Sequence, residues 1–529
     1  KKMRDYFVYH ENFMEPWDGP AALVFTDGNF IGAKMDRNGL RPLRYTITKD
    51  NLVIMASEAG IIEVEDKNLV LHHHMKSEEI FGVSLKDGTI IKNKELKIRE
   101  ASKKPYGKLL KNNLRVLERK EPKDEFGIFG LPEEGFDSKL RISFGWSKED
   151  LTKFLIPMAT NSREPLGSMG DDTPLASISK IDRKFYDYFK QWFAQVTNPP
   201  IDSIRERSVM SLYKYLGSED NLLSVAPTFH GAIRIKSPVL SPREVLKLYG
   251  YDNWFKHKKI ICHYRTTGNL ESKIKRIKKE AENALLDGAK IIFLSDEGLR
   301  KGLLPIPMPL VVSSLHHYLV EKKMRSKVSI ICITGDACED HHLAVLIALG
   351  ASAVYPYMAY ELIREYFDED DWSIKMHNYR YALEKGLLKI MSKMGISTIS
   401  SYCGSMLLHS IGLGPKISKK FFPSIPSNLG GIEIDYIKDL LAKRHEIAYN
   451  QGDKGLLSEK GMFRYRKNGE LHGYDPKTFR NIQNVASSKK LIKNINQDVV
   501  YIRDFLEVRA KRSAIDNNLV ESTDSILKR

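Results

Sequence analysis

The chain has 529 residues, too many for one hydrophobic core, and its length alone points to about three domains. A formal charge of +16 raises nucleic-acid binding, but the basic residues interleave with glutamates, as from Lys273 to Glu280, which is the pattern of a solvated helix face, and no nucleic-acid motif accompanies them. No run approaches the roughly eighteen apolar residues of a membrane helix, and only four cysteines (Cys262, Cys332, Cys338, Cys403) argue against a disulfide scaffold and for a reducing compartment.

The N-terminus, from Lys1 to Tyr6, lacks the apolar core of a signal peptide. Residues 1 to about 100 read as β-rich. Alternating segments at Ala22–Phe25 and Phe30–Ala33 flank the turn Asp27-Gly28-Asn29, and strands follow at Arg44–Thr48, Leu52–Ala56, Ile80–Leu85 and Thr89–Ile91. From Leu96 to about Gly145 the composition is charged and linker-like. Ser147 and Asp150 then mark the start of a helix, one as cap and the other in its first turn.

Between Lys259 and Tyr357 short apolar runs alternate with helical periodicity. Ala289–Ser295, Val328–Thr334 and Ala353–Tyr355 read as buried strands, and Leu310–Lys322 and Asp340–Leu349 as the helices between them. That rhythm argues an α/β domain with a parallel sheet covered on both faces. Ala382–Lys393 continues as helix and Gly395–Ser397 as a short strand. Breakers from Pro423 to Gly431 separate this unit from the next. There Asn468-Gly469 turns a hairpin within Phe463–Glu470, and a helix starts at Pro476.

Several groups invite a chemical reading. Asn38-Gly39 could stabilise an oxyanion, but a tight turn with positive φ at the glycine is favoured. Arg37, Arg41 and Arg44 suit the bracing of a loop or interface. Asp336, Cys338, His341 and His342 have spacings a metal could use; a helix start capped by Asp336 is the stronger reading. His72-His73-His74 belongs to a strand or loop. The rigid stretch Glu164–Pro174, with Met169 at its centre, suits either a binding loop or a domain joint. Lys393 could face an anion. No nucleophile–base pair and no glycine-rich phosphate loop completes an active site.

Five stretches nonetheless form a recognisable series: Glu15 to Ala21, Asp36 to Pro42, Glu164 to Ala176, Tyr188 to Asp202 and Lys389 to Thr398. Together they resemble the large (alpha) subunits of glutamate synthase over nearly the whole chain, with Tyr188–Asp202 the most specific. The resemblance implies a multidomain α/β protein. Residues 1–110 would be the C-terminal part of a class II glutamine amidotransferase domain, an N-terminal-nucleophile αββα sandwich. Residues 111–450 would be the central domain, with a linker at its start, and 451–529 the beginning of an FMN-binding (β/α)8 barrel.

On that reading the chain is an interior fragment. Its parent makes two L-glutamates from L-glutamine and 2-oxoglutarate, with FMN and a 3Fe-4S cluster bound mainly outside these residues. An electron-donor small subunit using NAD(P)H, or ferredoxin, would supply electrons to an oligomeric enzyme in the cytoplasm or a plastid, with no nucleic acid or membrane as partner. Met169 is the one substrate-binding residue carried over, near the 2-oxoglutarate site; no catalytic or metal-binding residue is. The resemblance departs at Cys403-Gly404-Ser405-Met406, where a basic residue, a small one and Gln are usual, and at His72–Glu79, where a Pro-Gly turn is common. Another class II amidotransferase would need a phosphoribosyl- or ATP-binding motif after residue 100, and a basic scaffold would need a nucleic-acid signature. Neither is present.

Overall fold

A computed structural model describes residues 1–16, 19–126, 138–165, 171–193, 200–219, 231–251, 254–368, 371–450 and 457–487. The N-terminal region is two antiparallel sheets sharing one core. One runs Ala22–Thr26, Phe30–Met35, Ile80–Ser84, Ile90–Lys92; the other Val53–Ala56, Arg44–Thr48, Leu69–His74. Tyr45 of the second sheet stacks on Phe81 of the first at 3.8 Å, among buried Ala33, Met35, Leu43 and Met75. The first hairpin closes because Asp27 Oδ1 accepts the amides of Asn29 (2.9 Å) and Phe30 (2.8 Å), leaving Gly28 at φ +88°.

Within the linker expected from Leu96 to Gly145, the described residues form regular elements over much of their length. Helices Asn93–Ser102 and Tyr106–Asn113 pack with Lys2–His10, and strand Leu114–Val116 joins Ala232–Ile235 in parallel. Each helix buries only a few side chains, Leu96 and Ala101 in one, Tyr106 and Leu110 in the other. Their remaining faces are charged and wet, so composition registered the solvent side and not the thin buried stripe.

The central α/β region holds the parallel sheet its pattern called for. His257–Ile261, Ile291–Ser295, Ser329–Ile333 and Ala353–Tyr355 lie side by side in chain order. Helices Leu270–Leu286, Met308–Glu321 and Asp340–Ala348 make the crossovers. The two inner strands are buried at every position, which is why they read as continuous apolar runs.

One local expectation is extended and three are corrected. The helix expected at Ala382–Lys393 is part of the longer Trp372–Met394. Gly395–Ser397 is no strand: Gly395, at φ +69°, ends that helix, and only Thr398 makes a single bridge, to Ser211. The breakers at Pro423–Gly431 do not divide units, because Ser427–Ile432 is a strand parallel to Leu408–Leu413. Glycine is needed there: a Cβ on Gly431 would fall 2.8 Å from the backbone carbon of Gly412. At 463–470 the backbone turns at Asn468 (φ +65°), where Gly469 N–H donates to Arg466 O at 3.0 Å, yet no strands flank it.

That last segment binds the central region through its backbone instead. Leu457 exchanges hydrogen bonds with Trp146 (3.0 Å) and Lys148 (2.8 Å), and buried Glu149 accepts the amides of Met462 (3.0 Å) and Phe463 (2.7 Å). Helix Pro476–Ser487 follows as expected, while 451–456 and 488–529, most of the anticipated barrel start, lie outside the described residues. Among the described residues no helix is long and apolar enough to cross a membrane.

Candidate functional site

A cleft of about 1300 Å³ separates the N-terminal sheets from the central region. Its first wall is the strand end and turn that carry Lys34, Asp36 and Arg37. Asp36 Oδ2 accepts Asn38 N–H at 3.1 Å, and Gly39 sits at φ +66°, so Asn38-Gly39 is a turn, as its residue types suggested. The turn aims Arg37 across the cleft, where Nη2 lies 3.1 Å from Glu206 Oε1. Glu206 Oε2 in turn accepts the amide of Asp202 at 2.9 Å, tying the Asp202–Glu206 turn to the same contact.

The opposite wall is made where helix Trp372–Met394 ends. Gly395 reverses the chain, Ser211 N–H donates to Ser397 O (2.8 Å), and Ile399 N–H donates back to Ser211 O (2.9 Å). Thr398 Oγ1 and Ser401 Oγ are 3.1 Å apart. Ser211, Ser397, Thr398 and Ser401 therefore bring hydroxyls to this wall, while charges such as Lys34, Arg99 and Glu100 come from the other side. The hydroxyl wall offers hydrogen bonds to a small neutral polar molecule, and the fixed charges of the lining lie on the facing side.

A second constellation lies at the C-terminal ends of the parallel strands. Thr334 Oγ1 is 2.6 Å from Asp296 Oδ2 and 2.8 Å from Asp336 Oδ1. One hydroxyl has one proton to donate, so one of these carboxyls must carry a proton to satisfy the other contact. Burial pushes both carboxyls up, which favours that sharing. Tyr186 donates to Asp336 Oδ1 at 2.6 Å, and Trp146 Nε1 donates to Gly335 O at 2.7 Å. Lys184 lies 3.4 Å from Asp150 Oδ1, 3.3 Å from Cys338 Sγ and 4.6 Å above the Trp146 ring.

The metal reading of Asp336, Cys338, His341 and His342 fails on this geometry. His342 Nδ1 accepts the Cys338 amide (3.1 Å) and its ring stacks on Tyr186, whereas His341 Nε2 faces Tyr186 O at 3.2 Å. Asp336 does not cap its own helix either; its Oδ2 faces the amide of Met308, at the start of another. Among the described residues no group of three or more His, Cys, Asp and Glu side chains is placed to hold a metal ion. The cluster fastens the Lys184–Tyr188 stretch to the strand ends.

Other candidates settle individually. Lys393 lies 5.5 Å from the centre of the Phe193 ring. His72–His74 end strand Leu69–His74, where His73 Nε2 meets Glu79 Oε2 at 3.2 Å. Cys403 Sγ faces Ala351 O at 3.3 Å. Met169 lies outside the described residues, but both flanks of its loop are anchored: Glu164 by Lys389 at 3.0 Å, and Asp172 by His472 Nδ1 (2.9 Å) and the Tyr474 amide (3.0 Å). Sequence reasoning missed Glu206 and Ser211, whose roles depend on partners 169 residues away in one case and on the Gly395 turn in the other.

Comparison with known proteins gives the family of the chain. Residues 139–414 match the glutamate synthase central domain, and residues 1–109 the class II glutamine amidotransferases. The chain is 37% identical to the large chain of NADPH glutamate synthase of Bacillus subtilis over 100% of its own length and 35% of that protein's. It is 35% identical to ferredoxin-dependent glutamate synthase of Pyropia yezoensis, covering 100% of this chain and 36% of the relative. The NADPH glutamate synthase large chain of Azospirillum brasilense is also 35% identical, covering 98% and 35%. The chain thus spans about a third of the length of these relatives. The flavin-binding domain of baker's yeast flavocytochrome b2 overlaps 38% of this chain and 44% of its own at 14% identity, but a TM-score of 0.24 is too low to bear on the fold.

Proposed function

Because this chain belongs to the glutamate synthase family, we propose that it is the connecting part of an enzyme that makes two L-glutamates from L-glutamine and 2-oxoglutarate. Ammonia freed from glutamine at an amidotransferase site would pass to the site where 2-oxoglutarate is aminated and reduced. An enclosed path matters because ammonia released into water near neutral pH is protonated and lost as a nucleophile. The carrying observation is the cleft of about 1300 Å³, bounded on one side by the amidotransferase-like sheets and on the other by the hydroxyls of Ser211, Ser397, Thr398 and Ser401.

The proposed domain limits are 1–110, 111–450 and 451–529, the last opening an FMN-binding barrel. The described cysteines do not suit an iron–sulfur group: Cys262, Cys332 and Cys338 are buried with their thiols pushed up by burial, and they form no cluster. FMN and a 3Fe-4S cluster would be bound mainly outside these residues. Met169 remains the proposed contact to 2-oxoglutarate. The electron donor would be a small subunit using NAD(P)H, or ferredoxin, within an oligomeric enzyme of the cytoplasm or a plastid.

The test is to narrow the cleft in the full-length enzyme with Ser397→Phe. Glutamine hydrolysis should persist while glutamine-dependent glutamate formation falls at least about tenfold and free ammonia accumulates; activity with added ammonium salt should be spared. Unchanged coupling of hydrolysis to synthesis would remove the cleft from the path.

A further inference from the structure

Two stretches far apart in the chain, 171–183 and 457–475, are interlocked by a short series of contacts. Gly473 N–H donates to Asp172 O (2.9 Å), and Tyr474 N–H donates to Asp172 Oδ2 (3.0 Å). Nearby, Arg183 Nη2 lies 3.2 Å from Glu470 Oε2, both side chains being buried, and Ser179 Oγ donates to the same oxygen. Arg183 also donates to Thr173 Oγ1 and Pro174 O, each at 3.1 Å, so the contacts at Asp172 and at Glu470 form one joint. His472 closes it.

His472 is 7% exposed, and each of its ring nitrogens faces an oxygen. Nδ1 lies 2.9 Å from Asp172 Oδ1, and Nε2 lies 2.7 Å from the carbonyl of Gly461. A carbonyl only accepts, so Nε2 carries a proton. Burial raises the Asp172 carboxyl, but the Tyr474 amide and His472 outweigh it and hold that carboxyl below its ordinary value. Oδ1 is therefore an acceptor too, and Nδ1 carries the second proton. Two acceptors on one ring require an imidazolium; a neutral ring would turn a lone pair on one of them.

Burial alone would push His472 down. The Gly461 carbonyl, Asp172 and Glu470 outweigh it and hold the ring above its ordinary 6.5. The titratable groups that face the ring are Asp172 from the 171–183 stretch, and Glu470 and Tyr465 (6.2 Å between ring centres) from its own. The joint's other cations respond differently. Arg183 keeps its charge throughout. Lys460 donates to Asp182 O and is held down by burial to about 8, but a neutral amine still has N–H groups to donate. His472 is the contact whose geometry fails when one proton leaves.

We propose that His472 is a pH-sensitive clasp: as an imidazolium it ties Asp172 to the 457–475 segment, and as pH rises it lets that contact go while Glu149 and the Arg183–Glu470 pair keep the rest of the segment seated. A ring held above 6.5 in the fold contributes stability that is complete below 6.5 and is lost as pH climbs through the folded value. The clasp is independent of the proposed ammonia path.

Exchange of the histidine C2 hydrogen in the intact chain, read peptide by peptide by mass spectrometry, titrates each histidine separately. His472 should titrate above 6.5 in the parent chain and below it in Asp172→Asn, where burial is no longer opposed by that carboxylate. Amide exchange tests the release. Corrected for intrinsic rates, protection at Gly473 and Tyr474 should fall several-fold between about pH 6 and pH 9 in the parent, and should be low and nearly flat in His472→Gln, which retains Lys460. Protection at Met462 and Phe463, held by Glu149, should change little. The proposal is overturned by a His472 midpoint at or below 6.5, by a midpoint indifferent to Asp172→Asn, or by protection at 473–474 that responds to pH equally with and without His472.

Discussion

Arg37 and Glu206 meet at 3.1 Å across the cleft, joining the amidotransferase-like turn Asp36–Gly39 to the turn that closes at Asp202. Their side chains are 28% and 34% exposed, so water screens part of the attraction. A double-mutant cycle of Arg37→Ala and Glu206→Ala should give a coupling of about 0.5–1 kcal/mol, small beside the stability of either region. Hydrogen exchange should rise around 36–40 and 200–210 in either variant, since each turn loses the other as support. Unchanged exchange on both sides would mean the ion pair does not brace the cleft.

Deep in the central region, Arg380 lies between Glu125 (3.4 Å) and Glu244 (3.7 Å), while Arg119 pairs with Glu244 (3.3 Å) and Glu384 (2.6 Å). Arg380, Glu125 and Glu244 are almost wholly buried. Removing one cation strands carboxylates in a dry interior, so Arg380→Met should cost about 3–5 kcal/mol. Adding Glu125→Gln should recover part of that loss. Urea denaturation of the single and double variants measures both.

Gly386 occupies the middle of helix Trp372–Met394, where alanine would ordinarily gain about 1 kcal/mol. Here a Cβ would fall 2.7 Å from Asp340 Cγ on the neighbouring helix. Gly386→Ala should therefore destabilise by about 1–3 kcal/mol, because overpacking outweighs propensity. A raised melting temperature would show that the two helices part freely.

His316 sets a pH dependence. Its ordinary value of 6.5 applies to the unfolded chain, and the folded one holds it at about 3. Between those limits the unfolded state binds the extra proton, so stability falls as pH drops from 6.5 toward 3, by at most about 1.4 kcal/mol per unit. Protonation would also remove the acceptor that Arg325 uses. Stability measured at pH 7.5, 6.5 and 5.5 should fall more steeply in the parent chain than in His316→Gln.

Glu149 accepts two consecutive amides from the segment that runs on toward residue 475. Glu149→Ala should loosen that segment and speed tryptic cleavage after Arg464, Arg466 and Lys467 several-fold, as read by time-resolved mass spectrometry. Cleavage at the parental rate would mean the other contacts suffice.

What could be read directly from the sequence was what neighbours in the chain decide. Asp27-Gly28-Asn29 closes its own turn, and Ser147 and Asp150 exchange hydrogen bonds three residues apart. Ile291–Leu294 and Ile330–Ile333 are unbroken apolar runs because both faces of their strands are covered, a condition that leaves its mark on composition. The family series from Glu15 to Thr398 was legible for a like reason, as residues in fixed order.

Only the folded chain decided which distant groups face each other. Gly431 reads as one of a run of breakers until its backbone meets that of Gly412, Leu96 to Gly145 as a linker until its few buried side chains find partners, and Arg37 as a brace with no named partner until Glu206 stands opposite. Local hydrogen bonds and periodicity are written within a few residues. Close approach, burial of thin stripes and the walls of a cleft arise from contacts across the fold, and a pattern along the chain does not encode them.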